Sequence, residues 1–255
     1  MVRDLKSLIK NIARKIGFNI TRYNLDLSLS YPDFDRDSID IIQNVKSHTM
    51  TSPERIYALI QAVRYIHQKN ISGSIVECGV WRGGSMMAVA YTLKTLNDCT
   101  RELFLYDTFE GMSTPTSKDV DINGYHAKSL LEQSNKKHSD SVWCIATLEE
   151  VSQALRQTLY PERLVKLVKG KVEDSIPRNI PERISLLRLD TDWYESTLHE
   201  LTHLYPRLAQ GGVLIIDDYG HWRGCRKAVD EYFESTKQNI LLNRIDGTGR
   251  IGIKV

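Results

Sequence analysis

The 255-residue sequence predicts an α/β protein with a mostly parallel seven-stranded sheet, helices on both faces and an antiparallel hairpin at its end. Three observations predict it. From residue 50 onward, short apolar runs alternate with stretches of helical period. Almost every apolar run ends in an acid or a glycine cluster. The chain closes on two short runs, "NILLNRI" and "RIGIKV", around the turn sequence "DGTG".

The elements follow in order. "TSPERIYALIQAVRYIHQ" opens with Ser52 as N-cap and Pro53 at the first helical position, and Ile56, Leu59, Ile60, Val63 and Ile66 mark its buried face. "SIVECGV" (74–80) is a buried strand and "SMMAVAYTLKTL" (85–96) a helix. "ELFLYD" (102–107) is the next strand. Residues 108–146 are polar with weak periodicity, as expected of a long insertion. Thr147 and Glu150 form a capping box at the start of "TLEEVSQALRQTL". Strands at 164–170, 184–190 and 212–218 then alternate with helices at 195–208 and 223–236.

Composition narrows the function. The net charge of +2 gives no case for a nucleic-acid partner. No apolar run approaches the roughly 20 residues of a membrane span. Cys78, Cys99, Cys144 and Cys225 form no CxxC pair, so reduced thiols and a cytoplasmic location are the simplest reading. In "MVRDLKSLIKNIARKIGFNITRY", Leu5, Leu8, Ile9, Ile12 and Ile16 recur at helical spacing with lysines and arginines between them. Such a basic amphipathic helix packs on a lid, on the domain or on a second subunit, or lies on a membrane surface. Residues 1–47 are read as an extension and 48–255 as the main domain, with a lid insertion at about 111–146.

In parallel sheets of this kind, ligands bind beyond the carboxyl ends of the strands. There the sequence places Glu77 with "CGVWRGGS", Asp107, Gly170 with "KVED", Asp190 with Asp192, and Asp217 with Asp218. The glycine spacing is GxxxGG and not GxGxxG, which disfavours a nicotinamide dinucleotide. An acid ending the second strand, Asp107, suits the two hydroxyls of a ribose; its bland alternative is a cap on the following turn. Asp190, Asp217 and Asp218 end two strands. Clustered carboxylates repel one another unless a cation joins them, and a hard cation such as Mg2+ favours carboxylate oxygens. Spacing alone is equally compatible with a solvated turn at "DDYG" and a helix cap at Asp192.

"VECGVWRGGS" followed by Asp107 resembles class I S-adenosylmethionine methyltransferases. With "YDTFEGM", "LRLDTDWYEST", "GGVLIIDDYGHWRGCRKAVDEYF" and "HTMTSPERIYAL", the stretch from about residue 48 to the C-terminus resembles the macrocin O-methyltransferase (TylF/MycF) family, which includes enzymes that methylate deoxysugars of macrolides and of novobiocin. The resemblance implies a Rossmann-like fold and a Mg2+-dependent O-methyltransferase of sugar hydroxyls in antibiotic biosynthesis, assembled as a homodimer or larger homo-oligomer. It puts the methionine end of S-adenosylmethionine near Met50, Thr51, Gly79 and Ser85 with Glu77 close by, the ribose on Asp107, and the adenine between Val172 and Glu173. Asp190, Asp217 and Asp218 would hold Mg2+.

A metal that holds two neighbouring hydroxyls orients the acceptor and lowers its pKa. Asp192 is the expected base, since "RLDTDWYEST" contains no lysine of the kind that serves catechol-type enzymes. Alternate residues of a strand point apart, so Asp190 and Asp192 cooperate only where the strand has broken into a turn. Trp193, Tyr194 and Trp222 are candidates for stacking on a sugar face or for core packing. Phenol or catechol methylation is the rival activity, and a non-catalytic cofactor-binding protein a second rival.

Overall fold

The computed structural model describes residues 27–136 and 141–255. The amphipathic segment through Tyr23 lies outside them. Two compact units divide between Ile39 and Asp40, earlier than the expected break after residue 47. In the first, a helical turn (Leu27–Ser30) leads to Tyr31, whose ring stacks on Phe34 at 4.6 Å. Asp35 accepts bonds from the Ser38 N–H (3.0 Å) and hydroxyl (2.7 Å) and so caps α1 (Arg36–Val45).

The second unit is a seven-stranded sheet of order β3-β2-β1-β4-β5-β7-β6. Its strands are β1 (Ser74–Cys78), β2 (Leu103–Asp107), β3 (Val165–Lys169), β4 (Ile184–Leu189), β5 (Leu208–Ile216), β6 (Asn243–Arg244) and β7 (Arg250–Ile253). The first five are parallel, and β7 pairs antiparallel with β5 and β6, as the "DGTG" turn predicts. The order reverses between β1 and β4. Right-handed crossovers therefore send the helices before β3 to one face and the later ones to the other. On one side α2 (Pro53–Gln68) packs on α3 (Gly84–Thr95), and α3 on α5 (Leu148–Gln157). On the other, α7 (Tyr194–Leu204) packs on α8 (Arg223–Thr236) and on the single turn α6 (Val172–Ser175). Both expected caps form. The Ser52 hydroxyl accepts from Arg55 N–H, and Thr147 with Glu150 closes a capping box on α5.

The insertion after β2 carries one helix, α4 (Ala127–Gln133), and its described part is sewn to the domain. Asp119, fully buried, accepts from the Tyr194 N–H at 2.8 Å and from the Thr116 N–H at 2.6 Å. It thereby caps α7, whose own N-cap residue, Trp193, has no side-chain oxygen. Gly224 makes room for this carboxylate, because a Cβ there would stand 2.3 Å from Asp119 Oδ1. The Arg223 N–H donates to Val120 O at 2.8 Å, and Trp193 Nε1 to Ser113 O at 3.1 Å. Asp119→Ala strands the buried Tyr194 N–H, a loss worth about 1–3 kcal/mol, and frees the half-buried Thr116 N–H. The expected result is a lower urea midpoint with unchanged slope, and a midpoint equal to wild type would remove Asp119 from this role.

Candidate active site

The carboxyl ends of β1, β2, β4 and β5 open into a cavity of about 340 Å3, within the usual range for ligand pockets. It lies at the switch point between β1 and β4. There the chain after β1 turns at Gly79 with φ +81°, and a Cβ at Gly79 would meet Asp190 O at 2.0 Å. Only glycine permits both that conformation and that approach. Asp190 N–H donates back to Cys78 O at 2.8 Å, locking the two strand ends together.

Beside this turn the Asp107 carboxylate is pre-oriented. One oxygen accepts from the Val80 N–H (2.6 Å) and the Trp81 N–H (3.1 Å), and the other from the Phe109 N–H (2.7 Å). The oxygen that takes the Phe109 N–H keeps acceptor capacity for a ligand, since the Thr108 hydroxyl beside it donates to Gly111 O at 2.6 Å. Met50, Thr51, Gly79, Ser85, Val172 and Glu173 line the same cavity. Glu77 does not. It is fully buried, its Oε1 takes Arg188 Nη1 at 2.7 Å, and burial pushes its pKa up to about 7 against the pull of Arg188.

The strand acids separate into two groups. Asp190, Asp192 and Asp218 bring carboxylate oxygens within 4.8 Å of one another, and all three line the cavity. Asp217, expected in the metal set, faces two arginines instead. Its Oδ2 pairs with Arg55, and its Oδ1 accepts from Arg188 Nη2 at 2.6 Å. The arginines come from neighbouring elements, Arg188 from β4 and Arg55 from α2, and Asp217 lines the cavity as Asp218 does. Asp192 joins the cluster because the chain has left the strand. Trp193 N–H bonds back to Thr191 O at 2.8 Å, and Asp192 adopts φ +68°. It does not cap α7, a task taken by Asp119.

Electrostatics follow from that crowding. Burial, reinforced by the Asp190 and Asp217 charges, pushes Asp192 up to about 7, against a hydrogen bond from Asp218. Asp218 rises well above the carboxylate range through burial and the Asp192 charge. Asp190 rises too, by burial, although Arg188 opposes it. Asp218 Oδ2 is buried without a hydrogen-bond partner. A donor set of carboxylates alone, one oxygen of it orphaned, suits a hard divalent cation and not Zn2+.

Two residues of the site carry no sequence-based role. Arg188 Nη1 also reaches Asp190 Oδ2 at 2.7 Å, so one guanidinium ties together Glu77, Asp190 and Asp217. An arginine inside the apolar run "LLRL" was the available signal. Arg55 bridges Asp217 to Asp246, at 3.0 Å, in the turn of the terminal hairpin. Among the aromatics, Trp193 and Trp222 meet edge to face at 4.9 Å on the cavity wall. Tyr194 is off that wall and donates its hydroxyl to Glu231 at 2.6 Å.

Comparison with known proteins agrees with this geometry. The profile of the macrocin O-methyltransferase (TylF) family matches residues 12–251. A tetracenomycin rhamnosyl 4'-O-methyltransferase of Streptomyces olivaceus is 29% identical over 98% of this chain and 93% of its own length. The mycinamicin III 3''-O-methyltransferase of Micromonospora griseorubida is 31% identical over 73% of this chain and 70% of its own. The solved structure of the O-methyltransferase NovP superposes with a TM-score of 0.70 at 30% identity, covering 82% of each chain. The chain therefore belongs to the macrocin O-methyltransferase family and is an S-adenosylmethionine-dependent O-methyltransferase.

Proposed function

We propose that the enzyme methylates a hydroxyl of a sugar in a glycosylated natural product, with Mg2+ at the acid cluster. One observation carries the reading: three cavity-lining carboxylates stand beside the cofactor elements, and of the three only Asp190 is paired with an arginine among the described residues. The relatives whose names specify a sugar position support the acceptor class. A phenolic diol is the alternative acceptor. Assembly as a homo-oligomer and a cytoplasmic location complete the reading.

S-adenosylmethionine supplies an electrophilic methyl, and the protein's task is to align an oxygen with it. Asp107 takes the ribose hydroxyls, Met50, Thr51, Gly79 and Ser85 border the methionine end, and Val172 and Glu173 the adenine. Asp190 and Asp218 would hold Mg2+, whose chemistry there would be to orient a diol and acidify its hydroxyl. Asp217 is available to a cation only in exchange for Arg55 or Arg188. Asp192 accepts the hydroxyl proton from its left-handed turn beside Asp190. Trp193 and Trp222 offer apolar surface to the sugar ring.

Calorimetry should give binding of S-adenosylmethionine and none of NAD. Asp107→Ala should weaken the former by about 1.5–3 kcal/mol, the value of a hydrogen bond to a charged group. Tight NAD binding would overturn the cofactor assignment.

Asp190→Asn and Asp192→Asn should fail differently. The first loses a ligand charge, so excess Mg2+ restores part of the rate. The second loses the base, at about 10²–10⁴ in rate, and resists added Mg2+. In the wild type the base works only when ionised, so activity falls as pH drops through the Asp192 pKa. That pKa is near 7 without the cation and lower with it. Asp192→Asn should lose this limb and keep a residual rate that climbs with pH. A pH–rate series at two Mg2+ concentrations decides, with rescue of Asp192→Asn but not Asp190→Asn reversing the assignment. Turnover unchanged by chelation would remove the metal role.

A further inference from the structure

Asp192 stands midway between two backbone anchors. Two residues before it, the Asp190 N–H donates to Cys78 O at 2.8 Å and ties the turn to β1. Two residues after it, the Tyr194 N–H donates to Asp119 Oδ1 at 2.8 Å and ties the turn to the insertion. Between the anchors Asp192 holds φ +68°, a conformation that a non-glycine residue keeps only where its surroundings impose it. The Trp193 N–H bonds to Thr191 O, within the turn itself. On the helix side, then, the outside hold on Asp192 comes from the insertion.

The insertion is itself fixed at that point. Asp119 Oδ2 accepts from the Thr116 N–H at 2.6 Å and from its hydroxyl at 3.0 Å, and Asp119 O accepts from the Ala127 N–H at 2.9 Å. The same segment holds both tryptophans of the cavity wall. Ser113 O takes Trp193 Nε1 at 3.1 Å, and Asp121 pairs antiparallel with Trp222. Asp192, Trp193 and Trp222 all line the cavity. A cap for α7 alone needs only a Ser, Thr, Asp or Asn at position 193. The chain places a tryptophan there and brings the cap from 75 positions away in sequence.

We propose that Asp119 is a positioning residue for methyl transfer: by fixing the Tyr194 N–H it sets where the Asp192 carboxylate and the Trp193 ring stand in the cavity. The inference rests on the reading of Asp192 as the base. Cofactor binding lies outside its reach, because Gly79 follows β1, Ser85 belongs to α3 and Asp107 ends β2.

The test follows release of S-adenosylhomocysteine by the full-length protein in excess Mg2+, with methyl α-L-rhamnoside and with catechol as acceptors, beside cofactor affinity by calorimetry. Asp119→Ala should lower kcat by about tenfold or more, since a displacement of roughly 1 Å costs on the order of 10² in rate, and should leave cofactor affinity unchanged. Asp119→Asn keeps an oxygen for the Tyr194 N–H and should recover most of the rate. Gly224→Ala favours the helix by propensity, yet its Cβ would stand 2.3 Å from Asp119 Oδ1. It should lose rate as Asp119→Ala does, and it replaces that variant if the latter does not fold. Hydrogen exchange over residues 191–197 needs no acceptor and decides where neither probe is turned over. It should be faster in Asp119→Ala and as in the wild type in Asp119→Asn. A wild-type kcat in Asp119→Ala overturns the proposal, as does no recovery in Asp119→Asn, a parallel loss of cofactor affinity or unchanged exchange. Failure of the base reading shows separately, as a wild-type rate in Asp192→Asn.

Discussion

Arg188 is 2% exposed on β4, the central strand of the sheet, where an uncompensated charge costs several kcal/mol. Its guanidinium is instead shared among Glu77 of β1, Asp190 beyond β4 and Asp217 beyond β5. The register makes this possible. Glu77 is the direct β1 partner of Arg188, and Ile215 its direct β5 partner. Two residues on, Asp190 and Asp217 share the same side of their strands. Removing the arginine would leave Glu77 and Asp190 without a cation and Asp217 with Arg55 alone. The strand ends therefore hold their positions through one cation, and Arg55 extends the tie to the hairpin turn at Asp246. There the Gly249 and Thr248 N–H groups and Ser52 hold Asp246 below its usual pKa, although burial opposes them.

This arrangement divides the acids by task. Glu77 and Asp217 spend their charge on arginine. Asp192 and Asp218 have no cation beside them, and Asp190 stands between the two groups, its side chain 26% exposed to the cavity. Carboxylates packed without counterions rise in pKa until protons or a metal make up the charge. The left-handed turn at Asp192 has the same logic. Asp tolerates positive φ better than most residues, and the turn brings Asp192 back beside Asp190 where an extended strand would point it away.

Much of this was legible in the sequence. Apolar runs of five to seven residues, glycine clusters and two capping sequences gave the element order and the hairpin. Acids at strand ends gave the edge on which the site lies. What escaped was mostly a matter of distance along the chain. Asp217 and Asp218 were grouped because they are adjacent, yet Asp217 is held by Arg55 and Arg188, and Glu77 is drawn to the same buried Arg188. The Asp119 cap on Tyr194 joins residues 75 positions apart, and nothing in "SKDVDING" announces it. Helix α7 lacks a cap of its own at Trp193, and that absence was the only local hint. Arg55 was read only as part of a helix start, because its partners Asp217 and Asp246 lie far along the chain.

The acceptor question turns on what the acid cluster must accomplish. A phenol ionises readily and asks little beyond orientation. An aliphatic sugar hydroxyl holds its proton far more tightly, so its methylation needs both acidification and a nearby base. On the proposed reading, an excess of carboxylates over guanidiniums at the strand ends would provide for both. The uncompensated charge would draw a divalent cation, while burial first and the neighbouring carboxylates second keep Asp192 basic enough to take a proton near neutral pH. The left-handed turn at Asp192 and the orphaned Asp218 oxygen both belong to this one cluster of acids, which serves a sugar diol and a phenolic diol alike.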